Sequence, residues 1–121
     1  ADVMYELGRR ISAIWFAGQV GNKAMVDYQV HEIEELHAEL AKASPTENGV
    51  DVAARLKSDV LKPLEGLSKT VGKSDLGDFE KTYTNIMKNC ESCHTATGHD
   101  FINLKKPEYN PYPNLDMTPE E

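Results

Sequence analysis

Cys90, Cys93 and His94, within the run Cys90-Glu91-Ser92-Cys93-His94, are the residues whose types and spacing carry the most chemistry in this chain. C-x-x-C-H is the spacing at which two thiols add to the vinyl groups of one haem and the following histidine reaches the iron. On a helix, positions three and four apart share a face, so all three side chains can meet one flat macrocycle. Both cysteines of the chain are used and no thiol is left over. The expected cofactor is therefore one covalent haem c. Competing uses of the pair fit less well. A thioredoxin-like dithiol calls for a βαβ setting, and no alternating strand pattern precedes the tail. A structural zinc site needs four ligands, and recruiting His99 with His94 leaves a five-residue gap. A disulfide between Cys90 and Cys93 would close a loop too short to constrain the chain.

The elements that must hold this motif read as helices. Met4, Leu7, Ile11, Ile14 and Trp15 form one stripe over Asp2 to Val20. Gly21-Asn22 interrupts it, and Asn22 is suited to cap a second helix over Lys23 to Ala43. That helix turns Val26, Val30, Ile33, His37 and Leu40 inward and Asp27, Glu34 and Glu35 outward. Residues 44–49 read as a loop. A third helix, about 50–70, carries Ala53, Leu56, Val60, Leu64 and Leu67, with a kink at Pro63. Gly72-Lys73-Ser74-Asp75 supplies the next stop and cap. The last helix, about 76–97, places Leu76, Phe79, Tyr83, Ile86, Cys90, Cys93 and Thr97 on one stripe. Short connections favour antiparallel neighbours, so the predicted fold class is all-α, an up-down-up-down four-helix bundle with a Pro-rich irregular tail.

Level and face select the other iron-ligand candidates. At about 1.5 Å of rise per residue, Met4 on the first helix and His37 on the second lie near the height of His94, both on inward stripes. A thioether and an imidazole are each haem ligands. Met4 and an absent protein ligand weigh equally for the sixth position, with His37 behind them. Met87, three residues before Cys90 on the same helix, is expected to touch the macrocycle. His31 lies off the stripe beside Tyr28 and Glu35, and His99 lies beyond the helix stop at Gly98, so neither is assigned to the metal. Trp15 and Phe16 read as core or interface aromatics.

Composition bounds the rest. The chain has 121 residues, 40% hydrophobic and 27% charged, which fits a globular protein with a single core. The longest apolar stretch, near Ile11 to Gly18, is too short to span a bilayer. The net charge of −7 argues against nucleic acid or an anionic membrane as partner and fits a redox partner with a basic surface. Haem attachment requires an oxidising or export-linked compartment, so Ala1 is expected to follow a removed signal peptide.

With these residues in place, the chain resembles the class II c-type cytochromes, the family of cytochrome c prime and its low-spin relatives. The likeness covers residues 1–99: a helical bundle with C-x-x-C-H near the end of its fourth helix. Met4-Tyr5-Glu6-Leu7-Gly8 is also similar to the M-x-x-x-G of the first helix in low-spin members. The resemblance implies His94 as axial iron ligand, a periplasmic location and a possible homodimer. Residues 1–99 then form a bundle haem domain and 100–121 an extension, which departs from the family pattern. Pro107, Pro111, Pro113 and Pro119 forbid a continued helix there. Phe101 to Leu104 is expected to run extended, with Tyr109, Tyr112 and Leu115 anchoring a strap on the bundle. Two functions remain open: a monohaem electron carrier, or a five-coordinate binder or sensor of small gases such as NO or CO. No distal acid–base constellation is identifiable, so the chain does not read as an enzyme.

Overall fold

The first helix, α1, spans Asp2–Gln19 and buries Leu7, Ile11, Ile14 and the small residues Ala13 and Ala17 along one stripe. It ends where Gly21 takes a left-handed φ of 73°, a conformation glycine adopts without steric cost. In this computed structural model, which describes residues 2–72 and 76–119, α2 follows over Lys23–Ala43. Asn22 caps it, its Oδ1 accepting from the Met25 N–H at 3.0 Å. Val26, Gln29, Val30 and Ile33 face inward, while Asp27, Glu34 and Glu35 stand in solvent.

The stretch expected to be a loop contains a small hairpin. β1, Thr46–Glu47, pairs antiparallel with β2, Val50–Asp51. Asn48 and Gly49 between them have φ of 51° and 75°. An Asn-Gly pair with both residues at positive φ is the tight turn that matches strand twist, and it explains why a strand pair appears where none was predicted. Asp51 then caps α3, Val52–Leu56, by accepting from the Ala54 N–H.

The expected third helix is present as one continuous helical run over residues 52–68, shorter than expected at both ends and carrying a π turn just before Pro63. After α3 comes a π-helical turn, Lys57–Leu61, and then α4, Lys62–Ser68. Pro63 explains the irregularity. It has no N–H, so the carbonyl of Asp59, four residues earlier, loses its α-helical donor. Asn89 Nδ2, from the last helix, donates to that carbonyl at 2.9 Å. The proline therefore fastens two helices together through the group it leaves unbonded.

The last helix, α5, spans Gly77–Ala96 and buries Phe79, Tyr83 and Ile86; Leu76 lies just outside it. The cap expected within Gly72 to Asp75 falls largely on residues 73–75, outside the described residues, as does Ala1. The helix closes at Gly98, φ 87°, with the Thr97 N–H and hydroxyl both donating to the Cys93 carbonyl. A β-carbon on Gly98 would sit 2.7 Å from the Asn48 side chain, so the hairpin abuts this helix end.

Packing is helix on helix: α1 lies along α2, α2 touches α3 and α4, and the π turn and α4 meet α5. Across from them, Trp15 of α1 stacks on Phe79 and Tyr83 of α5, with centroids 6.0 and 5.0 Å apart. A β-carbon on Gly18 would fall 2.0 Å from the Phe79 ring, so the ring occupies the space that a side chain at position 18 would need. The described chain is thus all-α apart from the hairpin. The tail forms no strand over 101–104, and of its expected anchors only Tyr112 is used. Tyr109 is 80% exposed and Leu115 is also exposed, whereas Met117 enters the core and Tyr112 packs against it. Arg9 donates to the Pro111 carbonyl at 3.0 Å and stacks on the Tyr112 ring. Asn22 Nδ2 donates to the Met117 carbonyl at 2.8 Å.

Candidate functional site

A cavity of about 400 Å³ opens between α1, the π turn, α5 and the tail. Cys90, Cys93 and His94 line it from α5, together with Met87 and Tyr83. Met4, Leu7, Gly8 and Ile11 line it from α1. Leu56, Val60, Arg55 and Asp59 come from the segment before Pro63, and Ile102, Leu104, Lys105 and Pro107 from the tail. The helical spacing of the sequence explains the first two groups, since each belongs to an inward stripe at the same height of antiparallel helices. The volume lies within the range of cofactor sites, and the walls are mainly apolar.

The chemistry of the motif follows from burial. Burial pushes the Cys90 thiol up to about 11, with the neighbouring Cys93 adding to the shift. Burial also raises Cys93, although Arg55 nearby opposes it. Both sulfurs are free thiols. His94 moves the other way: burial lowers its pKa, His99 adds to this, and Glu91 works against it. Its Nδ1 is buried with no hydrogen-bond partner. A neutral imidazole with an unsatisfied nitrogen, next to two protonated thiols in an apolar cavity, is a donor set that fits a covalently attached haem. When bound, such a group supplies a redox-active iron. The residues available to hold it are Cys90 and Cys93 through sulfur and His94 through its ring.

The polar wall is organised by α3 and the π turn. Arg55 pairs with Asp59, one turn on, and its Nη2 donates to Ser92 Oγ at 3.0 Å. Ser92 lies between the two cysteines, so this arginine ties the π turn to the motif. Tyr83, fully buried, donates its hydroxyl to the Ile11 carbonyl at 2.9 Å and joins α5 to α1 directly behind the cavity.

The other candidates separate clearly. Met4 lines the cavity but is 39% exposed, at its mouth rather than sealed inside. Met87 also lines it. His37 does not; its Nε2 lies 2.9 Å from the Ala53 carbonyl, so the expectation of an imidazole facing the macrocycle is not met. Equal height along two helices does not fix direction, and the start of α3 supplies the ring with a nearer partner. His31 is solvated, as expected, 3.2 Å from Glu35. His31, Glu32 and Glu35 could present ligand atoms within 4.8 Å of one another, but Glu32 already receives the Tyr28 hydroxyl and faces Arg10. His99 accepts or donates at Thr97, 3.1 Å away, outside the cavity lining. Sequence reading missed Arg55, Asp59 and Asn89. Counting four residues back from Pro63 would have flagged Asp59. No protein-family model matches the chain, nor does any curated protein or solved structure.

Proposed function

We propose that this chain is a monohaem c-type cytochrome of a four-helix-bundle kind that carries electrons, with haem bound through Cys90 and Cys93 and His94 as axial ligand. Met4 is the proposed sixth ligand. The observation that carries the reading is that Met4 of α1 and Met87, Cys90, Cys93 and His94 of α5 line one apolar cavity, and that His94 Nδ1 is buried with no partner. A six-coordinate iron suits electron transfer because little rearranges between ferric and ferrous states, and the thioether raises the potential. The proposed setting is the periplasm, where haem attachment takes place, and the proposed partner is a redox protein with a basic surface, steered by the chain's net negative charge. Among the described residues no helix is long and apolar enough to cross a membrane.

The gas-binding alternative draws on the exposure of Met4 and on the apolar wall of Leu7, Ile11, Leu56 and Val60. One experiment separates them. The chain is produced in a host that attaches haem c, and its mass and reduced spectrum are recorded with and without carbon monoxide. The expected result is the mass of the chain plus one haem and a low-spin spectrum that carbon monoxide leaves unchanged. Met4→Ala is expected to convert it to a high-spin form that takes up carbon monoxide. A chain of bare mass would overturn the haem reading, and a Met4→Ala protein with the wild-type spectrum would remove Met4 as ligand.

A further inference from the structure

The tail covers the cavity with a segment that has no regular structure, yet it is held at both ends. Ile102 N–H donates to the His99 carbonyl at 3.0 Å, next to the end of α5. Beyond it, Arg9 grips Pro111 and Tyr112. Between these fixed points Ile102, Leu104, Lys105 and Pro107 form one wall of the cavity.

Two cationic side chains line the cavity, Arg55 and Lys105. Arg55 is engaged by Asp59 and by Ser92. Ser92 lies between the cysteines, so Arg55 is tethered to the edge at which vinyl groups would be joined. The two carboxylates of a haem leave its ring from the edge opposite those vinyl groups. A carboxylate at the rim of an apolar cavity calls for a cationic partner or continued hydration. Lys105 offers the partner: its stem borders the cavity while its ammonium stands in solvent, paired with Glu108 three residues away.

We propose that Lys105 pairs with a haem carboxylate and so latches residues 102–107 across the macrocycle. This rests on the haem reading above. Lys105 acts here as a positioning residue for both strap and carboxylate. Neutralising the carboxylate disfavours the ferric state, because it removes negative charge near the iron.

The test compares haem-loaded wild type, Lys105→Gln, Lys105→Arg and Arg55→Gln, and a haem-free Cys90→Ala/Cys93→Ala chain. The reduction potential is measured for the loaded forms, and all are exposed to chymotrypsin, which cuts at the exposed Phe101. Lys105→Gln is expected to lower the potential and to raise the rate of cutting at Phe101 roughly two- to fivefold, the size set by one solvent-exposed charge pair. Lys105→Arg is expected to restore both, and the haem-free chain to be cut at the faster rate. An unchanged potential in Lys105→Gln, or a potential that falls in Arg55→Gln alone, would overturn the latch. Failure of the haem reading shows separately, as a wild-type chain that carries no covalent haem.

Discussion

Asn89 is predicted to stabilise this protein only because Pro63 is present. Its amide donates at 2.9 Å to the Asp59 carbonyl, the group that an α-helix would bond to the amide of residue 63. Proline has no such amide. Replacing Asn89 with alanine removes a neutral hydrogen bond with a net contribution of about 0.5–1.5 kcal/mol and leaves a half-buried carbonyl unsatisfied, so the expected cost is about 1–2 kcal/mol. In a Pro63→Ala background the backbone amide returns and can take the carbonyl itself. There Asn89→Ala is expected to cost about 0.5 kcal/mol or less, which gives a coupling energy near 1 kcal/mol between residues 26 apart in sequence. The four proteins of the cycle are unfolded in urea and followed by far-ultraviolet circular dichroism, with the slope checked for constancy. Equal costs in both backgrounds, within about 0.3 kcal/mol, would refute the account of the π turn.

Four further outcomes are expected. Gly18→Ala forces a methyl into the Phe79 ring and is predicted to cost about 1–3 kcal/mol on thermal unfolding. Gly8→Ala meets nothing within 4 Å in the haem-free chain and should stabilise it by about 0.5–1 kcal/mol, while perturbing the haem spectrum of the loaded protein, since Gly8 lines the cavity. In the haem-free chain iodoacetamide should alkylate Cys93 before Cys90, and the Cys90 rate should still be climbing at pH 10 because burial has pushed its thiol up to about 11; equal rates at pH 8 would contradict the burial argument. At Asp27, burial raises the pKa but is outweighed by hydrogen bonds from Ser68 and Lys23, so the folded-state value lies below the unfolded one. The stability it contributes is present above the unfolded pKa near 4 and lost as pH falls through the lower folded value, so Asp27→Asn should flatten the acid limb of the stability profile without changing the limb above pH 7.

The helices were legible because their apolar residues recur every three or four positions, and Leu7, Ile11, Ile14, Phe79, Tyr83 and Ile86 are buried as that spacing requires. The start of α2 was legible in one residue, Asn22. The hairpin was missed although Asn48-Gly49 announces it, because two residues per strand leave no alternation to read. The third helix and its irregularity near Pro63 were legible, but a proline marks only where a helix is disturbed and not which distant side chain takes the freed carbonyl. At the site, the stripes led to Met4, Met87, Cys90, Cys93 and His94 as one group. The same argument put His37 beside them and failed, because height along a helix says nothing of what a ring finds next to it. Burial of Met117 in preference to Tyr109 belongs to tertiary packing, and an irregular tail has no period that would reveal it.

One amide joins the corner between α1 and α2 to the tail. Asn22 uses its oxygen to begin α2 and its nitrogen to hold Met117, 95 residues away. The corner between α1 and α2 and the C-terminal tail therefore share one side chain. Replacing residue 22 would remove the start of α2 and the tether of residue 117 together, through a side chain of four heavy atoms beyond its Cα.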